Sequence, residues 1–233
     1  MKARRGRFLL VAAFFLPLLS AVSLGLVSYR VSHTGTPTFT FLAWNLALAW
    51  CPLVIAAIAY LLHRFGAPKL ALAAIIALWL LFLPNAPYLV TDFIHVRVAE
   101  GRLQLFDGLL LASFGLNGVA LGYVSTYLVH TVARDRVGAP IAWLLVTVSI
   151  GASACGIYLG RVLRLNSWDA IRDPMLLPRL TRARLEDPFG NPDLIAMVSI
   201  ATVLLFLGYV ATYMGGRWLT APPASRIRQA RRS

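Results

Sequence analysis

The sequence predicts an all-α, polytopic membrane protein with six transmembrane helices, the third of which is broken at Pro84 and Pro87. Hydrophobic residues make up 59% of the chain and charged residues only 13%, whereas about a quarter of the residues in a soluble domain are charged. The apolar residues form blocks of at least the roughly 20 residues that a helix needs to cross a bilayer. The basic residues lie mainly between and beyond these blocks, which is typical of membrane proteins.

Six apolar blocks are long enough to span: residues 8–28, 39–62, 69–90, 106–130, 139–163 and 193–214. The first exceeds the apolar core of a signal peptide and ends without a clear cleavage site, so we interpret it as an uncleaved helix. Because little sequence remains outside the blocks, we predict a single six-helix domain over residues 1–214. The polar, basic residues 215–233 are expected to form a disordered cytoplasmic tail.

The net charge is +13, from 22 Lys and Arg against 9 Asp and Glu. In a soluble chain this would suggest nucleic acid, but here membrane orientation explains it, so we predict no nucleic-acid partner. Four basic residues precede the first span, and Arg30 alone is expected in the loop after it. Positive charge marks the cytoplasmic side, so both termini are predicted to be cytoplasmic. The basic termini are expected to bind anionic lipid headgroups, at roughly 1 kcal/mol per residue.

The third span contains the motif LFLPNAPYLVTDFIH at residues 81–95. Pro84 and Pro87 remove helical hydrogen bonds, and the freed carbonyls need protein or water partners inside a membrane. Asn85 could satisfy the break or bind a ligand. Two interpretations therefore stay open: a kink that shapes helix packing, or a broken helix that lines a cavity.

Asp92 and His95 follow this break with i, i+3 spacing, which places them on one face of a continued helix. They are the candidate catalytic residues, because an acid and an imidazole can form a hydrogen-bonded pair. The spacing lacks a recognised ligand set, so we predict no metal, and the sequence identifies no cofactor. Asp107 is expected in the first turn of the fourth span, where an acid complements the helix dipole.

The predicted topology collects the polar residues at the extracytoplasmic face. Charged residues at membrane depth are functional candidates, which ranks Arg161 beside Asp92 and His95. The candidate ligand-binding residues at this face are Asn45, Asn85, Tyr88, Asp107, Arg161, Arg164, Asn166 and Asp169.

Other motifs favour helix packing. Asn117 lies deep in the fourth span and is expected to form an interhelical hydrogen bond. Gly118 and Gly122, and likewise Gly156 and Gly160, have the small-xxx-small spacing that lets helices approach closely.

Four segments, WNLALAWCPL, LFLPNAPYLVTDFIH, SFGLNG and GIYLGRVLRLNSWD, together resemble the bacterial membrane family known as domain of unknown function 1361. The resemblance covers about residues 43–214. It implies a multi-span protein of the bacterial inner (cytoplasmic) membrane, and it implies no activity.

No GxSxG, HExxH, Walker A or paired-cysteine motif is present. Three functions stay open. The protein could bind or transport a small or lipid-like ligand, it could be a membrane enzyme acting on a lipid or envelope precursor, or it could be a non-catalytic assembly or accessory protein. Whether it is an enzyme is not decided by the sequence.

Overall fold

In the computed structural model, the described residues are 2–98, 103–162, 167–173, 175–176, 179, 182, 190 and 192–219. They form helices and no strand, so the predicted fold class is confirmed. The helices are α1 (Lys2–Thr34), α2 (Phe41–Arg64), α3 (Lys69–Phe82), α4 (Asn85–Tyr88), a 3-10 helix (Leu89–Val98), α5 (Leu103–Val137), α6 (Ala139–Val162), α7 (Ser167–Arg172) and α8 (Pro192–Leu219).

Six stretches of these helices are long and apolar enough to cross a membrane, as predicted. They are Gly6–Thr34, Phe41–Arg64, Lys69–His95, Leu103–Val137, Ala139–Arg161 and Leu194–Gly216. The molecule is therefore a multi-pass membrane protein. Residues 215–219 of the predicted tail belong to α8, and the rest of the predicted tail lies outside the described residues.

Glycines set several helix ends. Gly35, Gly66 and Gly138 have φ values of 67°, 78° and 84°, a conformation that favours glycine and commonly ends helices. Because α1 continues until Gly35, it contains Arg30. The expectation that Arg30 lies in a loop is therefore wrong.

α5 is the central helix of the bundle. It packs against α1, α2, α4, the 3-10 helix, α6 and α8. Its apolar side chains Leu110, Leu111, Phe114 and Leu121 are fully buried. α8 packs mainly on α6 and leaves much of its apolar surface exposed, as expected of a helix at the lipid boundary.

The third span is broken at the predicted place. Pro84 and Pro87 have no N–H to donate, and the Ala86 N–H donates to the Leu83 carbonyl at 3.2 Å. The Phe82 carbonyl instead accepts a hydrogen bond of 3.0 Å from Asn85 Nδ2. Asn85 therefore repairs the break, which is the structural role considered for it.

Glycines on the neighbouring helices make room for residues 84–89, the broken segment. A Cβ at Gly118 would collide with the Ala86 carbonyl oxygen and lie 2.9 Å from Leu89 Cδ1. A Cβ at Gly156 would lie 2.8 Å from Pro84 Cβ. The interpretation of Gly118 and Gly156 as packing residues is confirmed, because they let α5 and α6 approach the broken segment closely.

We call one end of the bundle the polar end. There α1, the 3-10 helix and α6 end, and α2, α5 and α8 begin. The other end is the opposite end.

Candidate functional site

Asp92, on the 3-10 helix, is the centre of a polar cluster at the polar end. It is 1% exposed. Asn45 Nδ2 donates to its Oδ2 at 3.1 Å, and Arg161 Nη1 donates to its Oδ1 at 3.3 Å. Both carboxylate oxygens are thus engaged, as a buried acid requires. We call Asn45, Tyr88, Asp92 and Arg161 the Asp92 cluster.

Arg161 reaches this cluster from the last turn of α6, where the helix dipole favours a cation. Its Nη2 donates to the Thr91 carbonyl at 2.6 Å, and its Nη1 also lies 3.3 Å from the Tyr88 hydroxyl. Its guanidinium carbon is 5.6 Å from the centre of the Tyr88 ring, a cation–π geometry. The Arg161 side chain is 19% exposed, against 1% for Asp92. Its Nε is buried without an acceptor among the described residues.

The break in the third span brings these side chains together. After the break, α3 is followed by the short helix α4 and then by a ten-residue 3-10 helix. Most 3-10 helices have only about 3–4 residues. With three residues per turn, positions i and i+3 are aligned. Tyr88 and Thr91 have this spacing, and the Tyr88 hydroxyl and the Thr91 carbonyl both contact Arg161.

His95 occupies the face predicted for it, but it does not contact the carboxylate of Asp92. Its Nδ1 lies 3.0 Å from the main-chain carbonyl oxygen of Asp92. Its ring packs 5.2 Å from the ring of Phe41. The structure thus contains no acid–imidazole hydrogen bond between the two candidate catalytic residues.

Asp107 lies outside the Asp92 cluster and binds Arg30 instead. Arg30 Nε and Nη2 donate to its two carboxylate oxygens at 2.7 and 3.1 Å. Asp107 is fully buried, and Arg30 is stacked 5.8 Å from the centre of the Phe39 ring. Arg30 Nη1 is buried without an acceptor among the described residues. We call these two residues the Arg30–Asp107 pair.

Two expectations about this pair need correction. α5 begins at Leu103, so Asp107 lies beyond the first turn, and Arg30 rather than the helix dipole is its main partner. Arg30 was missed because the first span was ended too early. The signal was present: no glycine or proline interrupts the chain between Arg30 and Gly35.

The other predicted site residues are dispersed. Asn85 binds the Phe82 carbonyl. Asp169 lies on α7, partly buried and outside the group of side chains that bind Asp92. Arg164 and Asn166 lie outside the described residues. In the part of the chain that is described, no three His, Cys, Asp or Glu side chains are placed to hold a metal.

Asn117 was predicted to form an interhelical hydrogen bond, and its partners are Ser20 and, through the same oxygen, Trp50. Asn117 Nδ2 donates to Ser20 Oγ at 3.0 Å, and Trp50 Nε1 donates to the same oxygen at 3.1 Å. The expected interhelical hydrogen bond is confirmed, and it joins α1, α2 and α5 inside the bundle.

A second polar group, at the opposite end, was also missed. His130 Nδ1 lies 2.8 Å from the Tyr209 hydroxyl, and Arg134 donates to the Tyr213 hydroxyl. The ring of Trp143 lies 4.6 Å from the ring of His130. These contacts connect α5 with α6 and α8.

Comparison with known proteins gives the family and nothing more specific. No curated protein and no solved structure matches the chain. A family model described as a protein of unknown function (DUF1361) matches residues 44–215, a range that includes Asn45, Asp92 and Arg161. The chain therefore belongs to the DUF1361 family.

Proposed function

We propose that this protein binds an anionic group, a phosphate or a carboxylate, at the Asp92 cluster. The observation that carries the proposal is the difference in exposure within one ion pair. Asp92 is 1% exposed, whereas Arg161 is 19% exposed. Asp92 would thus hold Arg161 in place while a ligand approaches the more exposed arginine side chain from the polar end.

The energetic cost of the pair supports this proposal. Charged groups inside a membrane-spanning segment are expensive, and well-packed apolar side chains of similar volume are often at least as stable as a buried ion pair. The Arg30–Asp107 pair bears the same cost, and what distinguishes the second pair is the greater exposure of Arg161.

The donors of Arg161 define the ligand chemistry. Its Nε has no acceptor among the described residues, and its contact with Asp92 Oδ1 is long for a charge-assisted bond, at 3.3 Å. An oxyanion would approach the part of the Arg161 side chain that is exposed, not the buried Nε, and guanidinium groups bind carboxylate and phosphate through planar hydrogen bonds. Because Asp92 balances the charge of Arg161, the cluster suits one oxyanion rather than a polyphosphate.

Binding is favoured over transport and catalysis. Transport needs a path to both faces, but the core around α5 is filled by buried apolar side chains such as Leu46, Ala49 and Leu121. Acid–base chemistry by Asp92 and His95 lacks the hydrogen bond between their side chains. No observation favours a specific reaction.

The protein is reconstituted in phosphatidylcholine nanodiscs, and its equilibrium binding of added phosphatidic acid tests the proposal. Binding of inorganic phosphate is measured as a second arm. Native mass spectrometry would count bound molecules. Arg161→Gln is expected to weaken binding about tenfold or more, since a charge-assisted hydrogen bond contributes about 1.5–3 kcal/mol. Arg134→Gln, at the opposite end, is the matched control and is expected to bind normally. Equal binding by Arg161→Gln and the unaltered protein in both arms would overturn the proposal and favour an assembly role.

We also propose the bacterial inner membrane as the location, with both termini in the cytoplasm and the Asp92 cluster on the extracytoplasmic side. The support is the basic charge before the first span and after the last. The basic termini would bind anionic headgroups. Green fluorescent protein fused after Ser233 should fluoresce, and alkaline phosphatase fused there should be inactive. The reverse pattern would refute this orientation.

A further inference from the structure

The hydrogen-bond donors of Arg161 are mostly used inside the protein. A guanidinium has five N–H groups, one on Nε and two on each Nη nitrogen. Nη1 donates to the Tyr88 hydroxyl and to Asp92 Oδ1, both at 3.3 Å, so both of its hydrogens are engaged. Nη2 donates one hydrogen to the Thr91 carbonyl at 2.6 Å. The other hydrogen of Nη2 and that of Nε are left without an acceptor among the described residues.

These contacts prevent Arg161 from binding a ligand with two parallel N–H groups. Such bidentate pairing along one edge of the guanidinium is how arginine commonly binds a carboxylate. The edge that contains Nε is closed, because Nε is buried. The edge between Nη1 and Nη2 is also occupied, because both hydrogens of Nη1 have acceptors in the protein. Arg161 can therefore offer a ligand one N–H group, on Nη2, without losing a contact that the structure shows.

The Tyr88 hydroxyl supplies a second donor beside this one. A phenol hydroxyl accepts hydrogen bonds and also has one hydrogen to donate. In the contact with Arg161 the Tyr88 oxygen is the acceptor, because a guanidinium only donates. The hydroxyl hydrogen of Tyr88 thus stays available, with no acceptor among the described residues. The Tyr88 side chain is partly exposed, so this hydrogen can serve a ligand.

The arrangement of the two donors favours a tetrahedral group over a planar one. They belong to different side chains and are not a parallel pair. The acceptor directions of a carboxylate lie close to one plane, which suits the paired N–H groups that Arg161 cannot offer. A phosphate group has three acceptor oxygens, which point in different directions around phosphorus. Separate oxygens of one phosphate can therefore accept from Nη2 and from the Tyr88 hydroxyl.

We infer that the Asp92 cluster selects a phosphate group over a carboxylate, with Arg161 Nη2 and the Tyr88 hydroxyl as the two donors to the ligand. This inference rests on the proposed binding function and narrows its ligand class. It gives Tyr88 a direct part in specificity, in addition to its contact with Arg161.

Titration with two small anions tests the selectivity. Methylphosphonate and acetate share a methyl group and, at about pH 6, each carries about one negative charge, but only methylphosphonate is tetrahedral. Isothermal titration calorimetry measures their binding to the protein in phosphatidylcholine nanodiscs. Methylphosphonate is expected to bind about three- to tenfold more tightly, the factor that one additional neutral hydrogen bond contributes.

A tyrosine variant tests the role of the hydroxyl. Tyr88→Phe should weaken methylphosphonate binding about three- to tenfold and leave acetate binding nearly unchanged, so that the preference disappears. Tyr29→Phe is the matched control, because Tyr29 is an exposed tyrosine at the polar end that lies outside the Asp92 cluster. This control should keep the preference of the unaltered protein.

A fluorinated tyrosine separates contact with the ligand from positioning of Arg161. Replacement of Tyr88 by 3-fluorotyrosine keeps the ring and makes the hydroxyl a stronger donor and a weaker acceptor. If Tyr88 donates to the ligand, methylphosphonate should bind more tightly to this protein. Weaker binding would mean that the hydroxyl only accepts from Arg161, and it would overturn the assignment of Tyr88 as a donor to the ligand.

The remaining outcomes distinguish this inference from the proposed function. Equal binding of the two anions, or tighter binding of acetate, would overturn the selection of phosphate. If Arg161→Gln still abolished the binding of both anions, the proposed function would survive that failure. If Arg161→Gln changed the binding of neither anion, both would fail.

A competition arm identifies the source of the phosphate group. Phosphatidic acid is added to the nanodiscs before the methylphosphonate titration. Competition between the two would support a lipid headgroup as the phosphate that reaches these donors. Selective methylphosphonate binding without competition would support a soluble phosphate compound instead.

Discussion

The polar end contains two buried ion pairs that differ in their hydrogen-bond geometry and in the exposure of the arginine. The Arg30–Asp107 pair is bidentate at 2.7 and 3.1 Å, and its side chains are 10% and 0% exposed. Arg161 and Asp92 meet through one contact of 3.3 Å, and Arg161 is 19% exposed. The hydrogen bonds of the first pair connect α1 and α5, whereas those of the second also engage α2 and α4.

A structural ion pair and a functional candidate therefore differ in geometry as well as in position. A pair that uses both carboxylate oxygens of the acid for one arginine leaves little for a ligand. In the other pair the acid is shared between Asn45 and Arg161, and its contact with the arginine is a single long hydrogen bond. Geometry and exposure, rather than the presence of charge in a span, therefore distinguish the two pairs.

The largest expected effect is on stability when each acid is neutralised. Asp107→Asn should lower the free energy of unfolding by about 3–5 kcal/mol, because it leaves Arg30 buried without a counter-charge. Asp92→Asn should lower it by about 1–3 kcal/mol, because the more exposed Arg161 can recruit water. Chemical unfolding in one detergent measures both.

Two results would bear on that prediction. The double variant Arg30→Met with Asp107→Leu should recover most of the loss, since apolar packing can replace a buried pair. If Asp92→Asn destabilised the protein as much as Asp107→Asn, the proposed difference between the two ion pairs would be contradicted.

A substitution that disturbs the packing under the broken segment should affect the Asp92 cluster and spare the Arg30–Asp107 pair. Gly118→Ala should lower stability by about 1–3 kcal/mol through overpacking against Ala86 and Leu89, and it should also weaken phosphatidic acid binding. Gly108→Ala, in the same helix with no atom within 4 Å, should be neutral or slightly stabilising, by up to about 1 kcal/mol. Equal behaviour of the two variants in unfolding experiments would contradict the close packing at Gly118.

A smaller effect is expected for the tyrosine hydroxyl in the Asp92 cluster. Tyr88→Phe removes one hydrogen bond to Arg161 and keeps the ring. The free energy of phosphatidic acid binding should become less favourable by about 0.5–1.5 kcal/mol. Titration in nanodiscs measures it, and tighter binding by the variant would mean that Tyr88 competes with the ligand instead of positioning Arg161.

The smallest effect is expected for His95. His95→Ala should change phosphatidic acid binding by less than about 0.5 kcal/mol, the usual range for a substitution away from a buried network, because the ring contacts the Asp92 backbone and Phe41. A loss of binding comparable to that of Arg161→Gln would show that His95 takes part in binding, and it would support acid–base chemistry by Asp92 and His95.

Much of the fold was predictable because membrane spans need length and apolarity, and both are local properties of the sequence. The break was equally local, since Pro84 and Pro87 remove hydrogen bonds wherever they occur in a helix. The common location of Asn45, Asp92 and Arg161 followed from counting spans, which fixes the end of the bundle that each residue occupies.

Side-chain partners were not predictable in the same way. The partner of Asp107 is 77 residues distant, and the contact depends on how α1 and α5 are rotated about their axes. The same rotation decides that Asn117 meets Ser20 and that His130 meets Tyr209. Apolar blocks carry little information about rotation, because most of their faces are apolar. For His95, the i, i+3 spacing predicted the correct face of the helix but not the side-chain rotation. That rotation places Nδ1 of His95 against the main-chain carbonyl of Asp92 instead of its carboxylate.

The most direct test of the account compares the two arginines in one binding experiment. Phosphatidic acid binding in phosphatidylcholine nanodiscs would be measured for Arg161→Gln and for the double variant Arg30→Met with Asp107→Leu. We expect a loss of about tenfold or more for Arg161→Gln, equivalent to at least ~1.4 kcal/mol, and near-normal binding for the double variant. Normal binding by Arg161→Gln, or an equal loss in both proteins, would contradict the assignment of the Asp92 cluster as the binding site.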